Sequence, residues 1–181
     1  EEKANLKLIV NNDIFIRVIS KKDVSLTYLN WLKNDEIMKF TEQNKKNHTL
    51  ESTIKFVEEK FQSRFDFLFG IFLNNNHLGN IKLGPINWDK KDAQISFFLG
   101  EKKFWGKGIM FKVIKKLLSF AFQTLRLIEI KDNEGEISYN VNLYSETISL
   151  AEVLQDRKFS DLDLSELAHT YNKTSIKNSW D

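Results

Sequence analysis

Leu99-Gly100-Glu101-Lys102-Lys103-Phe104-Trp105-Gly106-Lys107-Gly108-Ile109-Met110 carries the strongest local signal in the chain. Before it, Asp92 to Leu99 reads as a strand. After it, Ile109, Val113, Ile114, Leu117, Leu118, Phe120 and Ala121 recur at helical spacing, so a helix is predicted from the second glycine to about Thr124. A strand therefore runs through a short two-glycine loop straight into a helix. The first turn of a helix carries free N–H groups and the positive end of the macrodipole, which suits an anion such as a pyrophosphate. Gly106 and Gly108 let the backbone approach phosphates with no Cβ in the way. Lys103 and Lys107 add charge at the rim. The segment is not a dinucleotide fingerprint, because position 111 is Phe111, and no Gly-Lys-Ser/Thr follows at the spacing of a Walker loop. A Gly-x-Gly ahead of a helix is also common as plain structure, so the context has to discriminate.

Working outward, Leu6 to Val10 and Ile14 to Ile19 read as strands joined by a turn at Asn11-Asn12-Asp13. A helix is predicted over Asp23 to Lys33 and a short one over Asp35 to Phe40, with Thr41 to Asn47 as a loop. Thr49, with Ser52 three residues on, caps a helix from Leu50 to about Gln62. Three strands follow, Phe65 to Leu73, His77 to Ile86 and Asp92 to Leu99, joined by turns at Asn74-Asn75-Asn76 and Asn87 to Lys91. Beyond the glycine-opened helix, Leu127 to Ile130 and Glu136 to Tyr144 read as strands around a turn at Asp132 to Gly135. Thr147 or Ser149 caps a last helix to about Arg157, and the tail to Trp180 holds one or two strands. This order predicts an α/β (α+β) domain with one mixed sheet, a single unit over residues 1–181.

Composition narrows the function classes. The chain has 181 residues, 41% of them apolar, with fifteen Phe and four Trp, enough for a real core. Lys+Arg number 27 against Asp+Glu 25, and the lysine pairs are scattered, which speaks against nucleic acid as a partner. Cysteine is absent. That removes disulfides, thiolate-bound metal and a cysteine nucleophile, and is consistent with a cytoplasmic setting. With His48, His77 and His169 as the chain's histidines, no metal site is expected. No secretory leader is read in Glu1-Glu2-Lys3. The most apolar run, Phe67 to Leu73, is far short of the ~20 residues that span a bilayer, so no membrane partner is expected.

FFLGEKKFWGKGIM (97–110) with SFAF (119–122) at the end of the following helix resembles motif A of the GNAT N-acetyltransferases. There Arg or Gln, two variable residues, Gly, one variable residue and Gly or Ala wrap the CoA pyrophosphate. Lys103 takes the leading position, and Gly106 and Gly108 match. YLNWLKNDEIMKF (28–40) and HTLEST (48–53) resemble the ribosomal-protein-acetylase-like branch and its relatives in surface-polysaccharide and amino-sugar pathways. The resemblance implies the GNAT fold, a mostly antiparallel mixed sheet flanked by helices. It also implies acetyl-CoA as cofactor and direct transfer to a primary amine in a ternary complex.

Carried over residue by residue, Phe98, Leu99, Gly100, Lys103, Phe104, Trp105, Gly106, Lys107, Gly108 and Ile109 would bind the cofactor, with Phe97 beside them along the pantetheine arm. An N–H near Phe98 or Leu99 would polarise the thioester carbonyl, where negative charge builds as the amine adds. The amine must arrive neutral. Many relatives supply a Glu on this strand, but Ala93-Gln94-Ile95-Ser96 stands there; Gln94 cannot act as a base, and the base is left unassigned. Relatives often protonate the leaving thiolate with a Tyr near the last helix. That position falls on Leu154, with Lys158 where glycine is usual. Tyr144 is the catalytic candidate in its place, a buried core tyrosine being the other reading. Trp31, Phe40 and His48 fall where this branch builds its acceptor pocket, with core packing and a helix cap as their plain structural readings. The implied acceptor is a small-molecule amine, an amino-sugar nucleotide first, then a protein N-terminal or lysine amine or a polyamine. A CoA-binding protein without turnover is the reading from another class. The protein is expected to be a monomer or homodimer.

Overall fold

The structure, a computed structural model, describes residues 3–39, 41, 47–132, 135 and 138–140. Seven strands form one sheet in the order β1 to β7: Lys7–Ile9, Ile14–Val18, Phe67–Leu73, Asn76–Asn87, Asp92–Leu99, Glu129–Asp132 and Ser138–Asn140. Every neighbouring pair is antiparallel except β5 and β6. Parallel neighbours need a crossover. Here it is the glycine-opened helix α4, Ile109–Ser119.

Short-range chemistry sets the turns. The Asn11 side-chain oxygen accepts from the N–H groups of Asp13 and Ile14, at 3.0 and 2.7 Å, and reverses the chain between β1 and β2. Asn74 and Asn75 both adopt positive φ, 48° and 67°, the geometry of a two-residue hairpin whose twist matches its strands. Helices α1 (Leu26–Leu32), α2 (Asp35–Met38) and α3 (Leu50–Gln62) are capped by Ser25, Asn34 and Thr49, the last in a reciprocal box with Ser52.

Helices cover both faces. In β2, Ile14, Ile16 and Val18 are buried on the side of α4, packed in one cluster with Val113, Leu117 and Phe69. On the other face Tyr28, Trp31, Leu32 and Val57 close over Leu68 and Phe72. Each such side chain contributes ~1.5–3 kcal/mol when fully buried. An aromatic ladder crosses this second face, with Phe15 on Phe72 at 5.1 Å and Phe72 on His77 at 5.0 Å between ring centres.

Several boundaries differ from the sequence reading. The helix expected over Asp23 to Lys33 is two pieces. Asp23 turns back onto the Ser20 N–H (2.8 Å) and closes a 3-10 turn, Lys21–Asp23; Val24 is extended, and Ser25 starts α1. β3 begins at Phe67 because the Ser63 hydroxyl accepts the Phe65 N–H and Asp66 turns inward. α4 gives way at Phe120 to a wider π turn ending at Thr124, and Arg126 takes positive φ, so β6 starts two residues later than expected, at Glu129. Of the strand expected over Glu136 to Tyr144, Ser138–Asn140 is β7. Tyr144, the helix expected from Thr147 or Ser149, and the tail lie outside the described residues.

Asp66 ties down the end of α3. Its carboxylate is 5% exposed, pairs with the Lys60 ammonium at 3.1 Å and accepts from the Ser63 hydroxyl at 2.8 Å. The Lys3 ammonium donates to three carbonyls there, those of Lys60, Ser63 and Asp66. Asp66→Ala removes the acceptor and leaves a largely buried ammonium unpaired. Because Lys60 keeps a quarter of its side chain in solvent, the expected loss is about 2–3 kcal/mol, below that of a fully buried pair. The midpoint of urea unfolding measures it, and a change below ~0.5 kcal/mol would show that the pair contributes nothing.

Candidate active site

β5 has different neighbours on its two edges. Alternate residues of a strand direct their main-chain N–H and C=O to the same side. The Gly100 N–H donates to Leu78 C=O on β4, and Lys91 C=O accepts from the Ile128 N–H on the β6 side. Phe98 and Gly100 therefore face β4, while Phe97 and Leu99 turn their polar groups toward β6. Yet the parallel register runs only from Asp92↔Glu129 to Ile95↔Asp132. β5 continues through Leu99 beyond that register while β6 ends at Asp132, so among the described residues the β6-side edge of β5 past Ile95 is open. Phe97 shows the loss of cover: it is 42% exposed, whereas Ile95 and Leu99 on the same face are 2% and 7%.

The loop after β5 is braced from three sides. Gly100 lies against the Trp31 indole, so close that a Cβ would meet ring carbons at 2.0–2.3 Å. The Trp105 indole N–H donates to the Leu99 carbonyl at 2.9 Å, and Lys102 forms an ion pair with Glu36 of α2. A 3-10 turn, Lys102–Phe104, then leads to Gly106 and Gly108, whose φ values are 69° and 70°. A Cβ on either would meet nothing within 4 Å, so open space lies in front of both. No side chain caps α4. The Lys103 and Lys107 ammonium groups lie 5.2 and 5.5 Å from the Phe104 ring centre, holding two positive charges beside that space. An uncapped helix start behind two left-handed glycines, flanked by two lysines, fits a pyrophosphate.

The other expected site residues are dispersed. Trp31 is 5% exposed and serves as packing under the loop, with its ring 5.2 Å from His77 and 6.3 Å from Phe98. His48 is buried immediately before the Thr49 cap. The Ile109 side chain is buried in the core beneath α4, so what it can offer a ligand is its N–H. Phe40 and Tyr144 lie outside the described residues. Gln94 is exposed on β5.

Sequence reasoning did not single out a partly buried histidine on β4. His77 Nε2 lies 3.0 Å from Gly79 C=O and 2.8 Å from the Asn80 side-chain oxygen. Facing a carbonyl, Nε2 must carry the proton, which leaves Nδ1 as the acceptor. Tyr28 packs edge-on at 5.8 Å, and burial pushes its hydroxyl well above the ordinary tyrosine range. Burial also holds the His77 pKa below the ordinary histidine value of 6.5, against the opposing pull of its two hydrogen bonds and of Asp23. Around it, Arg17 on β2 pairs with Asp23 at 2.6 Å. Burial works to raise the Asp23 carboxyl, but the Arg17 and Ser20 bonds together hold it low. Since the unfolded chain binds the histidine proton more readily, stability falls as pH drops below about 6.5. His77→Gln is expected to flatten that part of the profile; thermal midpoints of the two proteins between pH 7 and 5 test it, and parallel curves would contradict it.

Comparison with known proteins places this geometry. Residues 13–139 match the acetyltransferase (GNAT) domain family. A solved ribosomal L7/L12 alpha-N-protein acetyltransferase, RimL, is 19% identical, with a TM-score of 0.62 over 80% of this chain and 77% of that one. The Salmonella typhimurium acetyltransferase that modifies the N-terminal serine of L7/L12 is 20% identical, with a TM-score of 0.59 over 70% and 74%. Spermidine N-acetyltransferase from Vibrio cholerae, solved with CoA and spermine, is 19% identical, with a TM-score of 0.58 over 78% and 79%. With the family match covering most of the chain and the same fold in these structures, the chain belongs to the GNAT family and is an N-acetyltransferase.

Proposed function

We propose that the open edge of β5 and the glycine loop bind acetyl-CoA and that the protein acetylates the primary amine of a small molecule in the cytoplasm, an amino-sugar nucleotide foremost. The observation that carries this reading is the open edge of β5 past the end of β6, beside the uncapped start of α4. Acetyl-CoA supplies a thioester whose carbonyl carbon a neutral amine can attack. The main-chain N–H groups from Gly106 to Met110, with Lys103 and Lys107, would hold its pyrophosphate. Phe97 and Leu99 would hydrogen-bond the pantetheine arm along the open edge of β5. The Leu99 N–H, directed toward that open edge, is the donor for the thioester oxygen, and the Leu99 carbonyl is already occupied by Trp105.

The amine's proton must leave before attack. With Gln94 where a carboxylate would serve, an acceptor that deprotonates readily is favoured over a lysine side chain, whose ordinary pKa is about 10.4. The named activities of the relatives add a protein N-terminal amine and a polyamine as the competing acceptors. A panel of UDP-linked amino sugars, N-terminal peptides and polyamines, with acetylated product read by mass spectrometry, separates them. Acetylation of an amino-sugar nucleotide at least tenfold faster than the others is expected. Preference for a peptide or polyamine would replace the proposed acceptor, and CoA binding without product from any amine would point to a binding protein.

A further inference from the structure

A second recess lies on the other flank of β5, toward β4, and shares Lys103 and Phe104 with the rim of the glycine loop. It has a volume of about 530 Å³ and opens between the start of α1, the β3–β4 hairpin and the back of the Glu101–Phe104 loop. That volume lies within the ~300–1,000 Å³ of small-molecule sites. Part of the wall is apolar, from Trp31, Leu78 and Phe104. Thr27, Asn74, Asn76 and His77 supply uncharged polar groups, and Glu101 and Lys103 supply one charge of each sign.

We infer that this cleft is a second ligand site, for a neutral polyhydroxylated molecule of monosaccharide size. The charges on its wall cancel, so neither an anion nor a cation is favoured as a whole. Each asparagine amide offers a donor and an acceptor side by side, which matches a hydroxyl that both donates and accepts. Thr27 adds a hydroxyl, Glu101 accepts and Lys103 donates. The apolar wall suits the C–H face of a sugar ring, while a flat hydrophobic ligand would leave the amides, Glu101 and Lys103 without partners. Apart from Lys103 and Phe104 its walls are its own, and the inference does not rest on the acetyl-transfer reading.

The test uses N-acetyl-D-glucosamine, a hexose that has no free amine and so cannot be acetylated on nitrogen. It is titrated into the full chain without CoA, with the Trp31 indole and the Asn74 and Asn76 side-chain amides followed by NMR. The comparison protein is Thr27→Ala/Asn76→Ala, two exposed positions outside the cofactor loop, with its thermal midpoint as the control for folding. Saturable shifts at those three side chains, and affinity at least tenfold weaker in the folded double variant, are the expected result. Three results would overturn the inference: no shift at tens of millimolar sugar, equal affinity in both proteins, or a stronger response at the same side chains to the zwitterion L-leucine titrated in parallel. Because no cofactor is present, failure here leaves the acetyl-CoA reading untouched.

Discussion

Gly106→Trp is expected to lower acetyl-CoA affinity at least a hundredfold while the protein still folds, at a stability cost of about 1–2 kcal/mol. The glycine sits at φ 69° with nothing within 4 Å of a built Cβ. The folded protein can therefore accept the indole with only the conformational cost of a left-handed residue, about 1–2 kcal/mol. The ligand cannot, because the indole would fill the space between the Lys103–Lys107 rim and the first turn of α4. A hundredfold loss corresponds to about 2.8 kcal/mol, within what removing several charge-assisted contacts costs. Calorimetric titration alongside a melting curve checks both halves. Unchanged affinity in the folded variant would move the cofactor away from the loop.

Gly100→Ala should act in the opposite way, through the fold itself. Its φ is not in the left-handed region, so the backbone imposes no demand for glycine. The demand comes from Trp31, whose ring carbons would lie 2.0–2.3 Å from the new methyl. Trp31 cannot retreat cheaply, because Tyr28, His77 and Phe98 surround it. Overpacking of this kind costs about 1–3 kcal/mol, sometimes more. A drop in the denaturation midpoint with a shifted tryptophan emission is expected. A variant as stable as the parent would mean that the Trp31–Gly100 contact is not a fixed part of the fold.

Much of this arrangement was legible before any coordinates. Gly106 and Gly108 ahead of an apolar helix mark the loop, because a positive φ at that point has few other solutions. The asparagines at 74 and 75 mark a hairpin for the same reason. Thr49 with Ser52 marks the start of α3 through local hydrogen bonds. Part of what escaped depends on partners distant in sequence, and part on local geometry that spacing alone does not show. The packing of Trp31 under the loop is hidden until Gly100 is seen beneath it, sixty-nine positions later in the chain. Phe98 and Leu99 look interchangeable along a strand; the Gly100–Leu78 bond is what turns Leu99 to the open edge and Phe98 to β4. The shift of β6 follows from the π turn at Phe120–Thr124, which ordinary helical spacing does not reveal. His77 attracts no notice as a lone histidine, because its tautomer depends on Gly79 and Asn80 folding back onto it.

The central claim is that one molecule of acetyl-CoA lies along the open edge of β5 with its pyrophosphate on the glycine loop. The most direct test is backbone-amide NMR of the labelled protein during an acetyl-CoA titration. Saturable shifts are expected at Phe97, Leu99, Gly106 and Gly108 through Met110, with the amides of β1 and β2 unmoved. Binding that shifts other segments and spares Leu99 and the two glycines would contradict it.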